Sequence, residues 1–293
     1  MLRAIVTIVL LMFNLLFWGT LVLLGGIVKF AVHMTAPRSR LRTRVILASS
    51  WLAERWVGVN DRVFDRMQPT RWDAAGPFDE IRHDGRYLII ANHVSWVDIF
   101  ALFRVFHRRA PFIRFFLKHQ LIWFPIVGQA VWGLEFPFLR RRPEHRQKDF
   151  ETARRAAQRY RHVPVAIATF LEGTRFSEEK RDDQDSPYAH LLRPRTGAIA
   201  FVLATLGDQL DGMYDVTLAY PRGNVTLWEF LSGRVERIVI RARRLEVPPE
   251  FFAAAITEPG PARDRFKDWI DSIWREKDSL LESEIARQRD VAG

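Results

Sequence analysis

The sequence contains no cysteine among its 293 residues. This absence excludes a disulfide framework and a zinc site built from thiolates, and it agrees with a reducing, cytosolic setting. It also removes the usual thiol nucleophile of covalent catalysis. No internal repeat is visible. A hydrophobic content of 48% with 10 tryptophans is ample for one large domain, which we favour over two small ones.

Acidic residues are in short supply. Asp and Glu number 34 against 44 Lys and Arg, which gives a net charge of +10. Such an excess suits either an anionic membrane surface or a nucleic acid. The chain has no helix-turn-helix, zinc-finger or RNA-binding signature, and an apolar N-terminal segment argues against free diffusion on DNA. We therefore expect an anionic membrane surface, and no nucleic acid, as a partner.

A histidine and a carboxylate, His93 and Asp98, lie five residues apart after the apolar run 87–91 and Asn92. Among eight histidines, only His93 has Asp or Glu at this spacing. An imidazole held by a carboxylate has a fixed tautomer and a stabilised imidazolium, as a general base for a hydroxyl nucleophile requires. The stretch also resembles a capping box with Ser95 as N-cap and Asp98 at the third helical position, which is compatible with the catalytic interpretation.

A second cluster, residues 171–175 with the sequence LEGTR, follows an apolar run from Val163 to Phe170 that predicts a buried strand. Gly173 lets the backbone approach a ligand closely, Thr174 offers a hydroxyl, and Arg175 can bind a phosphate with two parallel hydrogen bonds. The sequence therefore predicts an anion site. An ordinary surface turn with a solvated arginine is the alternative.

Beyond Pro69, apolar runs alternate with charged helical stretches, which implies an α/β sheet covered by helices. The predicted strands are Tyr87 to Ala91, Phe136 to Leu139, Val163 to Leu171, Tyr214 to Tyr220 and Arg237 to Leu245. The predicted helices are Ile99 to Arg108, Phe115 to Leu121, Gln147 to Tyr160 and Thr196 to Leu206.

Two further stretches complete the chain. The charged segment from Glu178 to Pro187 predicts a solvated connection, although a lid over an active site has the same composition. A C-terminal helix with apolar residues at helical spacing is expected to pack on the sheet, and the residues after Ala286 are expected to fray. Its apolar residues are Phe266, Trp269, Ile270, Ile273, Trp274, Leu280 and Leu281.

In this order, Asn92-His93-x4-Asp98 and Glu172-Gly173-Thr174-Arg175 resemble the motifs of the glycerolipid acyltransferases, the family of 1-acylglycerol-3-phosphate O-acyltransferases. Two further blocks agree in order and spacing. Residues 137–141 lie where the family has a phosphate-contacting arginine block, and residues 216–221 match its apolar strand ending in proline. The resemblance covers roughly residues 70 to 280.

The chain departs from the family pattern in two blocks. Glu135 stands at a glycine position and Pro137 replaces an isoleucine, and in the other block Leu171 replaces a proline. With these variations the sequence looks most like the bacterial YihG-type branch, which is related to lysocardiolipin and lysophosphatidylinositol acyltransferases.

The resemblance implies an α/β fold with a mixed sheet flanked by helices, preceded by a membrane-anchoring helix or helical hairpin. The expected divisions are membrane-anchoring helices over 1–69, a catalytic domain over 70–286 and a tail over 287–293. The implied reaction transfers a fatty acyl chain from acyl-CoA or acyl carrier protein to the free sn-2 hydroxyl of 1-acylglycerol 3-phosphate, giving phosphatidic acid. The alternatives are another lysophospholipid headgroup, or a non-catalytic membrane lipid-binding protein.

The resemblance also implies roles for the site residues. His93 would take the hydroxyl proton and Asp98 would orient the imidazole. The acceptor phosphate would be bound by Arg175 with Gly173 and Thr174, assisted by Arg141 or Arg140, while Glu172 braces the loop. No metal and no cofactor beyond the acyl-donor co-substrate are expected. Candidates for lining an acyl-chain tunnel are Phe115, Phe116, Trp123 and Trp132.

The N-terminal segment from Ala4 to Val28 has 25 residues without a charge. As a helix it reaches about 37 Å, more than the roughly 30 Å of membrane hydrocarbon. It is longer than the apolar region of a signal peptide and lacks a cleavage site, so we expect it to remain on the protein. Basic residues follow it, which places the catalytic domain on the cytoplasmic side of the inner membrane. These residues are Lys29, Arg38, Arg40, Arg42 and Arg44.

The anchor has two possible arrangements, a single spanning helix or a helical hairpin that dips into one leaflet, for which Gly25, Gly26 and Pro37 would ease a bend. The next segment predicts an amphipathic helix that lies in the headgroup plane or packs on the core. Its predicted apolar stripe is Val45, Ala48, Leu52, Trp56, Val59, Val63 and Met67.

Overall fold

The computed structural model describes residues 1–35, 40–140, 146–161, 163–221 and 223–292. Its strands are β1 (Arg71–Ala75), β2 (Arg86–Ala91), β3 (Ile113–Phe115), β4 (Leu117–Lys118), β5 (Phe138–Leu139), β6 (Val165–Phe170), β7 (Gly212–Ala219) and β8 (Arg237–Leu245). Its helices are α1 (Leu2–Thr35), α2 (Arg40–Met67), α3 (Val97–Phe106), α4 (Val127–Gly133), α5 (Arg146–Tyr160), α6 (Glu178–Asp183), α7 (Gly197–Leu206), α8 (Leu227–Leu231) and α9 (Pro261–Ala292).

The central sheet has six strands in the order β1-β8-β7-β2-β6-β3. All neighbouring strands are parallel except β7 and β8, which are antiparallel. This confirms the predicted mixed α/β sheet flanked by helices. Because β2 lies parallel to both β6 and β7, the chain leaves all three strands at the same edge of the sheet. Loops that carry functional residues meet at such an edge.

The side chains of the central strand β2 are buried on both faces of the sheet, as its apolar sequence requires. Ile89 and Ala91 pack into one apolar cluster with residues of α2 and α3, whereas Leu88 and Ile90 pack into another with residues of α5, α7 and α9. Successive side chains of a strand point to opposite faces, so a strand buried on both sides reads as a continuous apolar run. In α9, Phe266, Ile270 and Trp274 are fully buried, which confirms packing on the sheet.

The first two helices lie against one another and against the α/β domain. Near the middle of α1, Asn14 Nδ2 donates a 2.8 Å hydrogen bond to Asn60 Oδ1 of α2. Near the start of α1, Thr7 contacts Gln68, and near its end Lys29 Nζ donates a 2.7 Å hydrogen bond to the carbonyl of Gly133. Helix α1 is long and apolar enough to cross a membrane, and only 22% of its most apolar 18-residue stretch is buried within the protein.

Several predicted elements differ from the structure. The predicted helix from Phe115 to Leu121 is wrong. Residues 113–115 form β3, which pairs with β6, and residues 117–118 form β4, which pairs with β5. Pairing with the buried β6 outweighs the local helical periodicity, because it satisfies buried backbone groups. Strands β1, β3 and β4 were not predicted, and the charged segment predicted as a connection contains α6.

The apolar stripe predicted for α2 is displaced by about one residue. The structure buries Ser49, Ala53 and Asn60 with their neighbours along the helix, whereas Ala48 is exposed. Polar residues lie in this buried face because α1 supplies the partner of Asn60. At the other end of the chain, α9 continues past Ala286 to Ala292.

Candidate active site

The histidine and aspartate follow the carboxyl end of β2 and are in direct contact. His93 Nδ1 lies 2.8 Å from Asp98 Oδ2. The preceding residue fixes the loop, because the Asn92 side chain donates to the Leu218 carbonyl and accepts from the Leu218 N–H, at 2.9 and 2.8 Å. Asn92 thereby connects the end of β2 to β7, which fixes the backbone from which His93 extends.

The Asp98 carboxylate is fully buried and accepts four hydrogen bonds. Its Oδ2 accepts the N–H groups of Val94 and Ser95 at 2.6 and 2.8 Å in addition to the His93 ring. Its Oδ1 accepts the Tyr220 hydroxyl at 2.5 Å. Backbone and phenol donors therefore hold the carboxylate in one orientation.

The structure contains the two side-chain hydrogen bonds of the predicted cap, Asp98 with the Ser95 N–H and Ser95 with the Val97 N–H. Trp96, which directly precedes α3, has helical backbone angles of −61° and −23°, so the turn that begins at Ser95 continues into the helix. The Asp98 carboxylate accepts N–H groups from the residues before α3, while the Ser95 hydroxyl accepts only the Val97 N–H, at 3.2 Å. The helix start fixes Asp98, and His93 remains in the preceding loop.

The His93 ring is held on its face as well as at its edge. It stacks on Phe170 with the ring centroids 4.0 Å apart and the planes 13° from parallel. The side chain is 14% exposed, and Nε2 has no hydrogen-bond partner among the residues that the structure describes. With Nδ1 committed to Asp98, Nε2 is the nitrogen that can take a proton from a ligand.

Glu172 braces the two loops. It is fully buried, and its carboxylate accepts the N–H of His93 at 2.8 Å and the N–H of Leu192 at 3.1 Å. Burial raises the pKa of Glu172 to about 8, because the charged form loses its hydration. The loops also meet directly, since the Phe176 N–H donates to the His93 carbonyl at 2.7 Å. The two motifs found in the sequence therefore form one site.

The loop predicted to bind an anion carries positively charged side chains. The Arg175 guanidinium lies over the Trp96 ring, 5.1 Å from its centroid. Lys180 Nζ donates to the Thr174 hydroxyl at 3.3 Å and to the Arg175 carbonyl at 2.9 Å. Gly173 has φ of 69°, a conformation that favours glycine. This loop presents a hydroxyl and two cationic side chains next to the dyad.

A third cation at this loop, Arg195, was not predicted. Its N–H donates to the Leu171 carbonyl at 2.7 Å, and its side chain packs on Gly173, where an added Cβ would lie 3.0 Å from Arg195 Cδ. Over the described part of the chain, no carboxylate lies within ion-pair distance of Arg175, Lys180 or Arg195. An anionic ligand at this loop would therefore not compete with a described carboxylate for these cations.

The remaining predicted site residues lie elsewhere. Arg140 directly follows β5 in the two-stranded sheet, and Arg141 lies outside the described residues. Of the proposed tunnel residues, Phe115 is buried in the core, where it stacks on Phe170, whereas Trp123 is 79% exposed. Tyr220 was not predicted as a site residue; it reaches Asp98 because β7, the strand that it follows, pairs in parallel with β2.

Comparisons with known proteins agree on one family. A family model described as Acyltransferase matches residues 78–221, which include the dyad, the LEGTR loop and Tyr220. The chain is 30% identical over 213 residues to lysocardiolipin acyltransferase 1 of Danio rerio, an alignment that covers 67% of this chain and 52% of the relative. It is 24% identical over 252 residues to 1-acyl-sn-glycerol-3-phosphate acyltransferase 2 of Brassica oleracea, covering 80% of this chain and 59% of the relative.

Among solved structures, the 1-acyl-sn-glycerophosphate acyltransferase PlsC from Thermotoga maritima is similar, with a TM-score of 0.49 at 16% identity. That match covers 89% of this chain and 95% of the solved chain. The curated relatives are longer, and this chain spans 52% and 59% of the two named above.

Proposed function

Residues 78–221 form a domain of the acyltransferase family, and on this premise we propose that the chain is a lysophospholipid acyltransferase that acylates the free sn-2 hydroxyl of 1-acylglycerol 3-phosphate. The donor is a fatty acyl thioester of coenzyme A or acyl carrier protein, and the product is phosphatidic acid. The observation that carries the proposal is the 2.8 Å contact of His93 Nδ1 with Asp98, beside a loop that carries Arg175 and Lys180.

In the proposed reaction, His93 Nε2 takes the proton of the acceptor hydroxyl as its oxygen attacks the thioester carbonyl. Asp98 stabilises the imidazolium that forms, because its buried carboxylate accepts the Nδ1–H. The tetrahedral intermediate collapses, the carbon–sulfur bond breaks, and the imidazolium returns the proton to the departing thiolate. No acyl-enzyme, metal or further cofactor takes part in this scheme.

The acceptor phosphate is proposed to bind at the loop 173–175. Arg175 supplies the planar guanidinium that pairs with phosphate oxygens, and Lys180 and Arg195 add charge at the same loop. A lipid hydroxyl three bonds from that phosphate can then reach the neighbouring His93. The chain's similarity to a relative named lysocardiolipin acyltransferase favours one alternative acceptor, a lysophospholipid with a phosphodiester headgroup.

Membrane association is proposed through α1 and α2, with the catalytic domain on the cytoplasmic side of the inner membrane. Both ends of α1 contact the same α/β domain, through Arg3 with Gly233 near its start and through Lys29 with Gly133 near its end. A spanning helix would place its two ends on opposite sides of the bilayer. We therefore favour a helical hairpin that enters one leaflet, which spares the acceptor a transfer of its acyl chain into water at about 0.8 kcal/mol per methylene.

The proposal is tested with purified full-length chain and a panel of acceptors and donors, with lipid products identified by mass spectrometry. The variants His93→Ala and Asp98→Asn should lose at least about a hundredfold in turnover while remaining folded, as circular dichroism would check. Glu178→Gln, on the exposed side of the neighbouring segment, is the matched control. Unchanged turnover in the His93 variant would remove the dyad from the mechanism, and no product with any acceptor would favour a non-catalytic lipid-binding protein.

A further inference from the structure

Two consecutive aromatic side chains stand out from the surface between β4 and α4. Trp123 is 79% exposed and Phe124 is 60% exposed. Two large aromatic side chains that are consecutive in the sequence and both exposed form an apolar patch of a kind that soluble proteins usually bury. Tryptophan in particular favours the interface between membrane and water. Neither side chain contributes to the site around His93.

The segment that carries them is fixed to α1 rather than held on a free loop. The backbone of α4 approaches α1 closely, since a Cβ on Gly26 would lie 3.1 Å from Gly133 Cα. Lys29 anchors the same point through the Gly133 carbonyl at 2.7 Å and through an ion pair of 3.6 Å with Glu135. The orientation of this segment relative to α1 is therefore determined by the fold.

The exposed apolar surface of α1 continues into this segment. Phe30 of α1 and Trp132 of α4 are both exposed, and their ring centroids are 6.4 Å apart. Further exposed apolar side chains follow along α1. They include Leu16, Phe17, Leu24, Ile27 and Val28.

The charge of the segment around Trp123 and Phe124 indicates which kind of partner it contacts. The sequence has no Asp or Glu between Asp98 and Glu135, and Lys118 is exposed just before the aromatic pair. Since Glu135 is paired with Lys29, the stretch that carries the aromatic pair presents exposed apolar side chains and the cation Lys118. A bilayer with anionic headgroups offers both an apolar interior and a negative surface.

We propose that residues 119–126, which we term the aromatic wedge, insert Trp123 and Phe124 into the same leaflet that α1 enters. The wedge acts as a second membrane contact and fixes the height and tilt of the domain above the bilayer. This inference depends on the proposed membrane association through α1. An acidic carrier protein is the other partner with negative charge, but it would leave two large aromatics without a hydrocarbon phase.

The absence of cysteine allows a direct test, because a single cysteine can be introduced and labelled. The variant Trp123→Cys, carrying an environment-sensitive nitrobenzoxadiazole probe, is mixed with vesicles of phosphatidylglycerol and phosphatidylcholine. The wedge predicts a blue shift and quenching by nitroxide placed on the lipid chains. The control is Ser279→Cys, exposed on α9 across the sheet, which should show neither.

A second measurement uses unlabelled protein. The double variant Trp123→Ala with Phe124→Ala should bind vesicles at least about a hundredfold more weakly, roughly tenfold for each aromatic, whereas Trp123→Phe should retain most of the binding. Acylation of a short-chain acceptor dissolved as monomers should be unchanged in all variants.

These outcomes separate the wedge from the proposed activity. Unquenched probe fluorescence at position 123, or a response to acyl carrier protein in place of vesicles, would overturn the wedge while leaving acyl transfer intact. If the double variant bound vesicles more weakly, as predicted, but the wild-type chain acylated no acceptor, the wedge would be supported and the proposed function overturned.

Discussion

The Tyr220 hydroxyl donates a 2.5 Å hydrogen bond to Asp98 Oδ1, the carboxylate oxygen that His93 does not use. Burial raises the pKa of Tyr220 well above its ordinary value, with the adjacent Asp98 charge adding to the effect. Tyr220 is therefore a permanent donor. It orients the carboxylate from the β7 side, while the backbone N–H groups of Val94 and Ser95 orient it from the loop side.

Removing this donor should slow the proposed reaction. In Tyr220→Phe, Asp98 Oδ1 is left buried without a partner, so we expect kcat to fall about tenfold and stability to fall by about 1–3 kcal/mol. A carboxylate that loses a donor attracts the imidazole proton more strongly, so the acidic limb of the pH profile of kcat should move to higher pH. Turnover measured from pH 5 to pH 9 checks both expectations.

The chain offers a matched control for this tyrosine. Tyr188 donates to Asp271 Oδ1 at 3.1 Å, which is the same pairing on the far side of the sheet. Tyr188→Phe should alter stability at most and leave the shape of the pH profile unchanged. A Tyr220→Phe profile that matches that of Tyr188→Phe would limit Tyr220 to packing.

The parts of the site that are local in sequence could be predicted, and the parts assembled by the sheet could not. The spacing of His93 and Asp98 brings them together through a single loop, and the LEGTR sequence directly follows a recognisable strand. Tyr220 and Arg195 reach the site only because β2, β6 and β7 end at one edge and because Arg195 bonds to Leu171. No local pattern contains that information.

The errors in the fold have the same origin. The stretch from Phe115 to Leu121 has helical periodicity, but the neighbouring residues 113–115 complete the sheet beside β6. In α2, a buried asparagine is stable because Asn14 of α1 is its partner, 46 residues away in sequence. In each case a tertiary contact outweighs the local preference, which a single sequence does not show.

The loop cations Arg175, Lys180 and Arg195 should determine the affinity for the acceptor. We expect Arg175→Ala to raise the KM for 1-acylglycerol 3-phosphate about tenfold to a hundredfold with a smaller change in kcat, because a charge-assisted phosphate contact is lost. Arg195→Ala should act in the same direction with a smaller effect. Steady-state kinetics with acceptor presented in mixed micelles measure both parameters.

The control for this prediction is a neighbouring arginine with a structural role. The Arg193 guanidinium donates to the carbonyls of Gln184 and Asp185 at 2.9 and 2.5 Å, so Arg193→Ala should leave the acceptor KM unchanged. If Arg175→Ala and Arg193→Ala had equal values of KM, Arg175 would not contact the acceptor.

The buried Glu172 should make stability depend on pH. Its pKa rises from the ordinary 4.5 to about 8, mainly through burial. Across that window the folded chain retains a proton that the unfolded chain has released, so stability should fall as pH rises, by about 1.4 kcal/mol per pKa unit of difference. Melting temperatures in detergent at intervals from pH 5 to pH 9 follow this loss.

Two variants isolate the contribution of Glu172. Glu172→Gln does not titrate, so the pH dependence of its melting temperature should flatten over the window. Its amide offers one acceptor where His93 and Leu192 require two, so it should also be less stable at pH 5. Glu178→Gln, at an exposed position, should keep the wild-type slope. A wild-type slope in Glu172→Gln would assign the dependence to another group.

The C-terminal helix is fixed to the sheet by a charge that has no access to water. Lys277 of α9 is buried, donates to the Val216 carbonyl at 2.6 Å and forms an ion pair of 2.7 Å with Asp215. Burial lowers the pKa of Lys277, so its ammonium is retained through these partners. Removing one partner of a buried pair leaves the other uncompensated, and Lys277→Met should cost about 3–5 kcal/mol in the free energy of unfolding.

Lys267→Met is the control on the same helix, because the Lys267 ion pair with Asp264 is exposed and should contribute less than about 1 kcal/mol. Chemical denaturation of both variants in the same detergent gives the comparison. If the two were equally stable, Arg243, which pairs with Asp215 at 3.0 Å, would be sufficient to compensate this carboxylate. In that case Lys277 would not be required to hold α9 against β7, the strand that leads to Tyr220.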